Sequence, residues 1–407
     1  MDFTHWLRSV LWPLKELFPV EIALTLGLVF FALSWVLPRK IVNFPALTSR
    51  TRTLVWLGAG GAFAVVAIAT VTSWISQRQG YLGAVGFDGW WRRPAPLLAA
   101  AIAMAVGAIA LARAPQPAPG ERAIAPRHRW WHFAPRGLLG LAATGAALLF
   151  LTASWHTLIG VSAPSHVEKW DQPGTLNLPI YFEAFGGAGY LPGAGWPNHL
   201  ATLLALGATS LVLILALGRD ANRPAARASA ASVRAERAAT ARVFVLLALG
   251  GILLTLGAVW AHIGFVGEGS IGLHVGDAPG AEPVYVGTSY QAFARFMHLG
   301  GYLIQGLGAA LLLRLGVDTL RAAAVRRRNA HALDGHTHTL GTDALTLGAD
   351  ALDGHSLDAR ADADANGFET DADAHADANA PDAHADAHAD VAEGGPRQTP
   401  RRTGLAR

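Results

Sequence analysis

Seven apolar segments, each close to the length needed to cross a bilayer, constrain this chain more than any other feature of its sequence. A helix needs about 20 consecutive apolar residues to cross the hydrocarbon core. Of the 407 residues, 52% are hydrophobic and 15% are charged, against about 25% charged in a soluble domain. We therefore predict an all-α, polytopic transmembrane helix bundle with spans at 19–37, 53–75, 95–113, 137–159, 199–218, 243–264 and 296–316.

The basic residues between the spans predict the orientation of the bundle, because Lys and Arg are enriched in cytoplasmic connections. One set of connections carries 20 Lys/Arg residues and the opposite set carries 7. The amino terminus is therefore expected outside and the carboxyl terminus in the cytoplasm. The excess of Ala, Gly and Arg suggests a bacterial origin, which makes the plasma (inner) membrane the expected location. Arginines beside apolar spans do not indicate nucleic-acid binding, so the bilayer is the expected partner.

Two segments flank the predicted transmembrane domain at 19–328. Residues 1–18 mix aromatic, apolar and basic side chains around Pro13, which predicts a short interfacial helix. Residues 329–407 consist largely of Ala-Asp and Ala-His steps. A segment of this composition cannot bury enough apolar surface to offset its chain entropy. We therefore predict a disordered cytoplasmic tail. Residues 331–407 contain 5 Arg and 15 acidic residues, a net charge of −10, whereas the residues before them contain 27 Lys/Arg and 14 acidic residues, a net charge of +13.

The last six spans form three antiparallel hairpins after a lead helix. Each hairpin begins at an inner arginine and reaches an outer tryptophan after 18 to 22 residues. This regularity is open to two interpretations, an internal duplication or the ordinary placement of Arg and Trp at membrane interfaces. The third hairpin, from Arg242 to Arg314, is the most polar. Outer loops at 160–198 and 265–294 exceed the length of ordinary connections, which favours a functional role or disorder.

The last span carries the sharpest pattern of polar residues. Arg295, His298, Tyr302 and Gln305 are spaced by three, four and three residues, so they share one helix face. Gly301 beside this face permits close approach of a neighbouring helix or ligand. Polar side chains at membrane depth usually face the bundle interior or a cavity. The face therefore suits either interhelical hydrogen bonding or a ligand or ion path.

Four histidines, at positions 156, 199, 262 and 298, fall near the outer ends of their spans. Neutral imidazole can ligate zinc, copper or haem iron. Three interpretations stay open: a polar vestibule for a substrate, a metal or haem site, or incidental interfacial histidines. The expected ligand cavity accordingly comprises Arg295, His298, Tyr302, Gln305, His262, His156 and His199.

The tail carries histidines among 13 aspartates, a composition that can hold a divalent metal ion through many weak contacts. A solvated acidic repeat without any ligand is the alternative. The expected metal-binding residues are His336, His338, His375, His384 and His388. The chain has no Cys, which excludes disulfides and thiolate sites.

Several motifs of enzymes and pumps are missing from the sequence. It contains no phosphate-binding loop G-x-x-x-x-G-K-[ST] and no H-E-x-x-H metalloprotease motif. No span has a carboxylate near its centre. We expect a protein that handles a small solute or metal ion through an outward-facing cavity. There are two alternatives. The first is a membrane redox or assembly component associated with haem or quinone, and the second is a scaffold that binds a partner through its outer loops.

Overall fold

The protein is mostly helical. The computed structural model describes residues 22–36, 41–42, 44, 49–79, 89–122, 127–160, 180–184, 187–191, 195–224, 230–273 and 283–352. The predicted interfacial segment 1–18 lies outside these residues. Eight α-helices occur in the described part of the chain: α1 (Ile22–Leu33), α2 (Ser49–Trp56), α3 (Ala62–Gln79), α4 (Ala95–Arg113), α5 (Arg136–Leu158), α6 (Gly195–Ala221), α7 (Ala230–Gly267) and α8 (Gln291–Leu352).

Six helices are long and apolar enough to cross a membrane, which confirms the prediction of a multi-pass membrane protein. They run over Arg50–Ser76, Ala95–Arg113, Arg136–Leu158, Asn198–Ala221, Ala231–Gly267 and Gln291–Arg326. The first of them joins α2 to α3 through a π-helical turn at Leu57–Gly61. The lead span is represented by α1, whose 12 residues extend only about 18 Å. The count of seven spans therefore stays a prediction.

Helix α7 lies at the centre of the bundle. In its most apolar stretch, 83% of the residues are buried, against 22–44% in the other five long helices. It packs against α4, α5 and α6, and its run of Val, Leu and Gly residues offers apolar surface on every side. A helix that is apolar all round is expected in the interior of a bundle.

Glycines bring α7 and α8 into close contact. Gly257 faces Gly301, and a Cβ atom at position 257 would lie 2.5 Å from both the carbonyl oxygen of Gly301 and the backbone nitrogen of Gln305. Gly250, seven residues before Gly257 on α7, lies close to the backbone of Gly308. Small residues allow such backbone contact between membrane helices. The expectation that Gly301 admits a neighbouring helix is confirmed.

The predicted cytoplasmic end of the bundle is held by arginines that bind helix ends. Arg223 donates to the carbonyl oxygens of Leu111 and Ala114 at the end of α4. Arg237 donates to the carbonyl oxygen of Ala221 at the end of α6, at 2.8 Å. The last carbonyls of a helix carry partial negative charge and have no partner within the helix. Arginines that the orientation rule counts only as charges therefore also fix this end of the fold.

A buried ion pair joins α8 to the chain after α1. Asp318 accepts hydrogen bonds from Arg314 at 3.2 Å and from the backbone N–H of Ile41 at 3.0 Å. The guanidinium groups of Arg314 and Arg321 lie 3.4 and 3.9 Å from the ring centroid of Trp35. These contacts fix the segment that follows the lead helix.

Two antiparallel β-hairpins occur in the loops predicted to be outside, and the sequence analysis did not predict them. The first pairs β1 (Ile180–Ala184) with β2 (Gly187–Leu191), and the second pairs β3 (Ser270–Leu273) with β4 (Val284–Gly287). Strands β2 and β3 contact each other. The strands are four or five residues long, and three of the four contain Gly. They therefore lack the alternation of polar and apolar residues that would reveal them.

Candidate functional site

Three of the predicted histidines lie close together at one end of the bundle. His156 belongs to the last turn of α5, His199 to the first turns of α6 and His262 to the last turns of α7. Tyr290, which directly precedes α8, joins them. His156, His199 and Tyr290 are buried, with exposed fractions of 3, 2 and 4%, and His262 is partly buried. We refer to these four residues as the buried histidine cluster.

A chain of hydrogen bonds runs through the cluster. Nδ1 of His156 lies 2.8 Å from Nε2 of His199, and Nε2 of His156 lies 3.2 Å from Oη of Tyr290. Tyr290 also donates to the carbonyl oxygen of Ile263, at 3.4 Å. These contacts tie the end of α5 to the start of α6 and to the residue before α8.

The hydrogen bonds assign the protons of the two imidazoles. The carbonyl oxygen of Ile263 can only accept, so it takes the single hydroxyl proton of Tyr290. His156 must then donate from Nε2 and accept at Nδ1, which makes Nε2 of His199 a donor. Neutral imidazole has one donor and one acceptor nitrogen, so Nδ1 of His199 carries a lone pair. That buried atom has no hydrogen-bond partner among the described residues.

A cation stands beside the cluster. Arg93 lies two residues before α4, and its Nη1 donates to Oδ1 of the buried Asn198 at 2.9 Å. It is near enough to His156, His199 and His262 to act electrostatically on each of them. Helices α4 and α6 both begin here, and the start of a helix carries partial positive charge. The local field therefore favours a ligand that carries negative charge or hydrogen-bond acceptors.

Hydrogen bonds one turn along from the cluster fix the helices that carry it. Nε1 of Trp260 on α7 donates to Oγ1 of Thr152 on α5 at 3.0 Å, and the Thr152 hydroxyl donates to the carbonyl oxygen of Leu148 at 2.7 Å. The Thr202 hydroxyl on α6 donates to the carbonyl oxygen of Asn198 at 2.9 Å. The bond from Trp260 holds the histidine-bearing ends of α7 and α5 in register, whereas the two threonine bonds stay within their own helices.

The predicted face of α8 forms a second group. Nε2 of His298 lies 3.1 Å from Oη of Tyr302, and Nδ1 of His298 lies 3.2 Å from Oε1 of Glu268, which follows α7. Gln305 is buried against Gly257, and Arg295 is exposed. The seven residues expected to line one cavity are therefore divided: three belong to the buried histidine cluster, and His298 and Tyr302 belong to a separate chain of bonds.

The geometry bears on the metal and haem hypotheses. An imidazole nitrogen lies about 2.0–2.1 Å from a bound metal ion, so two such nitrogens stand about 3.3 Å apart in tetrahedral coordination and about 4 Å apart on opposite sides of a haem iron. His156 and His199 are closer than this and bond to each other. Within the described residues, no group of three or more His, Cys, Asp or Glu is arranged to hold a metal ion. The predicted metal site in the tail lies outside the described part of the chain. His375, His384 and His388 are not among the described residues, and the side chains of His336 and His338 are not described.

Four residues of these two groups were missed by sequence reasoning. Tyr290, Arg93 and Asn198 stand next to helix starts, and Glu268 stands just after a helix end. Charges beside the spans indicate the orientation of the bundle, and they do not show which loop residues fold back onto the helices. The proximity of Tyr290 to His156 depends on tertiary packing across 134 residues, which spacing rules within one helix do not address.

Comparison with known proteins adds no relative to this description: no protein-family model, curated protein or solved structure matches the chain.

Proposed function

We propose that the chain spans a bacterial plasma membrane seven times, with three hairpins after a lead helix and the amino terminus outside, and that it binds a small carboxylic acid at the buried histidine cluster. The observation that carries this proposal is Nδ1 of His199, a buried ring nitrogen without a hydrogen-bond partner among the described residues. The tautomers assigned above give this nitrogen a lone pair. A buried acceptor of this kind costs about 1–3 kcal/mol when it stays unsatisfied. A ligand that donates a proton to it recovers that free energy.

The neighbouring charge narrows the class of ligand. Arg93 favours an acceptor or an anion, while Nδ1 of His199 requires a donor. A carboxylic acid supplies both, because its O–H group donates to the imidazole and its carbonyl oxygen accepts from a guanidinium group. A divalent cation is disfavoured by the same Arg93, since like charges repel. These considerations support a solute rather than a metal ion as the ligand of this cluster.

Thermal unfolding of the purified protein in lipid nanodiscs tests the proposal. The probes are benzoate at about pH 5, where part of it carries the O–H proton, and zinc chloride at about pH 7. A ligand at saturating concentration stabilises the folded state by mass action, so benzoate should raise the Tm of the wild type. His199→Ala and Arg93→Gln should abolish that rise. His132→Ala, which removes an exposed histidine at the other end of the bundle, is the matched control and should retain it.

Three results would redirect the interpretation. A rise in Tm with zinc that depends on His199 and not on Arg93 would favour a metal site. A Soret band in the purified protein would favour the haem-associated alternative. Benzoate that raises the Tm of His199→Ala as much as that of the wild type would remove this cluster as the binding site.

A further inference from the structure

Glu268, His298 and Tyr302 form a second chain of hydrogen bonds, which we call the Glu–His–Tyr chain. Glu268 is held by a bond from its backbone N–H to the carbonyl oxygen of Gly264, at 3.0 Å. His298 and Tyr302 are four residues apart on α8 and therefore lie on one face. The distances are 3.2 Å from Oε1 of Glu268 to Nδ1 of His298 and 3.1 Å from Nε2 of His298 to Oη of Tyr302.

The chemistry of the three groups fixes the direction of every proton in the chain. An ionised carboxylate can only accept, so Nδ1 of His298 carries the proton that Glu268 receives. Nε2 of His298 is then an acceptor, and it takes the hydroxyl proton of Tyr302. The same order of carboxylate, imidazole and hydroxyl activates nucleophilic oxygens in unrelated enzymes. The oxygen of Tyr302 is thereby made a proton acceptor.

The chain runs from an exposed group towards the interior of the bilayer. The side chain of Glu268 is 37% exposed and that of His298 is 18% exposed. Tyr302 lies seven residues beyond Arg295 along α8, about 10 Å deeper along the helix axis. Leu299 and Leu303, next to it on α8, are about half exposed, as expected for a surface that contacts lipid tails. Tyr302 is partly exposed among them.

We propose that the Glu–His–Tyr chain is a proton relay that binds the acidic hydroxyl group of a molecule dissolved in the bilayer and releases its proton to water outside. The ligand O–H gives its proton to Oη of Tyr302, while the former proton of Tyr302 passes to Nε2 of His298. The proton on Nδ1 passes to Glu268, which releases it to water. The ring of His298, which is partly exposed, then exchanges protons with water and returns to its starting tautomer. The ligand leaves as its anion, and nothing is oxidised or reduced.

This relay goes beyond the solute site proposed above, because it uses other residues and a ligand that arrives through lipid. His262 and Gly264 lie about 200° apart around α7. His262 belongs to the buried histidine cluster, whereas Gly264 contacts the backbone of His298. The central helix therefore separates the two sites, and one can fail without the other.

Two probes of equal apolar surface test the relay. 4-Nonylphenol has the acidic hydroxyl group, and its methyl ether lacks only the proton. In nanodiscs containing the wild-type protein, we expect the phenol to bind about tenfold more tightly than the ether, a difference of about 1.4 kcal/mol, as measured by quenching of tryptophan fluorescence. Tyr302→Phe and His298→Gln should remove this preference, and His132→Gln should keep it. Equal binding of the two probes to the wild type, or a preference that survives Tyr302→Phe, would overturn the proposal.

Nitrogen NMR of protein labelled with ¹⁵N-histidine provides a test on the unmodified chain. The spectrum of His298, assigned by its loss in His298→Gln, should show a protonated Nδ1 and an Nε2 that accepts a hydrogen bond. Glu268→Gln removes the charge and keeps an acceptor, so the variant should retain this tautomer and bind the phenol less tightly. A His298 ring protonated at Nε2 in the wild type would contradict the relay.

Discussion

The two histidine groups beside α7 contain the same kind of side chain and differ in their partners. In the buried histidine cluster, His156 bonds to another imidazole and to a phenol, and the cation of Arg93 acts on it electrostatically. In the Glu–His–Tyr chain, His298 bonds to a carboxylate and a phenol and is partly exposed. Partners and exposure, rather than residue type, therefore distinguish what each imidazole can do.

The two groups differ in the atom at which their hydrogen-bond chains end, and therefore in where a proton can go. The described bonds of the buried histidine cluster end at the carbonyl oxygen of Ile263, which cannot take up a proton at ordinary pH. Those of the Glu–His–Tyr chain end at a carboxylate in contact with water. The first arrangement suits selective binding of a solute, because its donors and acceptors are fixed. The second suits proton exchange.

The largest expected effect concerns the helix contact that separates the two groups. Gly257→Val places a side chain 2.5 Å from backbone atoms of Gly301 and Gln305, which cannot move without displacing α8. We expect a loss of at least about 3 kcal/mol of folding stability, with both sites disrupted. Thermal unfolding and gel filtration in detergent would measure it.

Gly140→Val is the matched control for that substitution. A Cβ at position 140 of α5 meets no atom within 4 Å, so its change in stability should stay within about 0.5 kcal/mol. If Gly257→Val and Gly140→Val unfold at the same temperature, close packing of α7 on α8 is not what holds the groups apart.

Removing one imidazole from each group should have unequal effects on stability. His156→Ala removes the partner of Nε2 of His199 in a buried site, and an unsatisfied buried group costs about 1–3 kcal/mol. We expect a loss of about 2–3 kcal/mol. His298→Ala leaves groups that are partly in contact with water, so about 1 kcal/mol is expected. Thermal denaturation at several scan rates compares the two variants. An equal loss of stability, or a larger loss for His298→Ala, would show that burial does not distinguish the two groups.

The sequence predicted the long helices of the bundle better than the side-chain contacts between them. The six long helices follow from apolar runs of span length, and the close contact at Gly301 follows from the small residues beside the polar face of α8. The pairing of His156 with His199, 43 residues away, depends on how α5 and α6 are arranged. Glu268 belongs to the predicted outer loop at 265–294, and only its position after α7 brings it to His298. Patterns within one helix could not supply contacts that arise between helices.

Two arginines at the predicted outer end allow the solute site to be distinguished by affinity. Arg93 acts on the buried histidine cluster, whereas Arg295 is exposed on α8. A hydrogen bond to a charged group contributes about 1.5–3 kcal/mol, so Arg93→Gln should weaken benzoate binding at least about tenfold. Arg295→Gln should leave it unchanged. Calorimetric titration of both variants checks this, and a larger loss for Arg295→Gln would move the binding site to the α8 face.

The smallest expected effect is at the bond that supports the buried histidine cluster from one turn away. Trp260→Phe removes the hydrogen bond from Nε1 to Oγ1 of Thr152 and keeps most of the aromatic surface. Because the Thr152 hydroxyl still donates to Leu148, the loss should be about 1 kcal/mol. Benzoate binding should weaken with it, while the preference of the Glu–His–Tyr chain for 4-nonylphenol over its ether should not change. A change in the second preference alone would mean that Trp260 supports the other side of α7, and that the two groups are not separated as their contacts indicate.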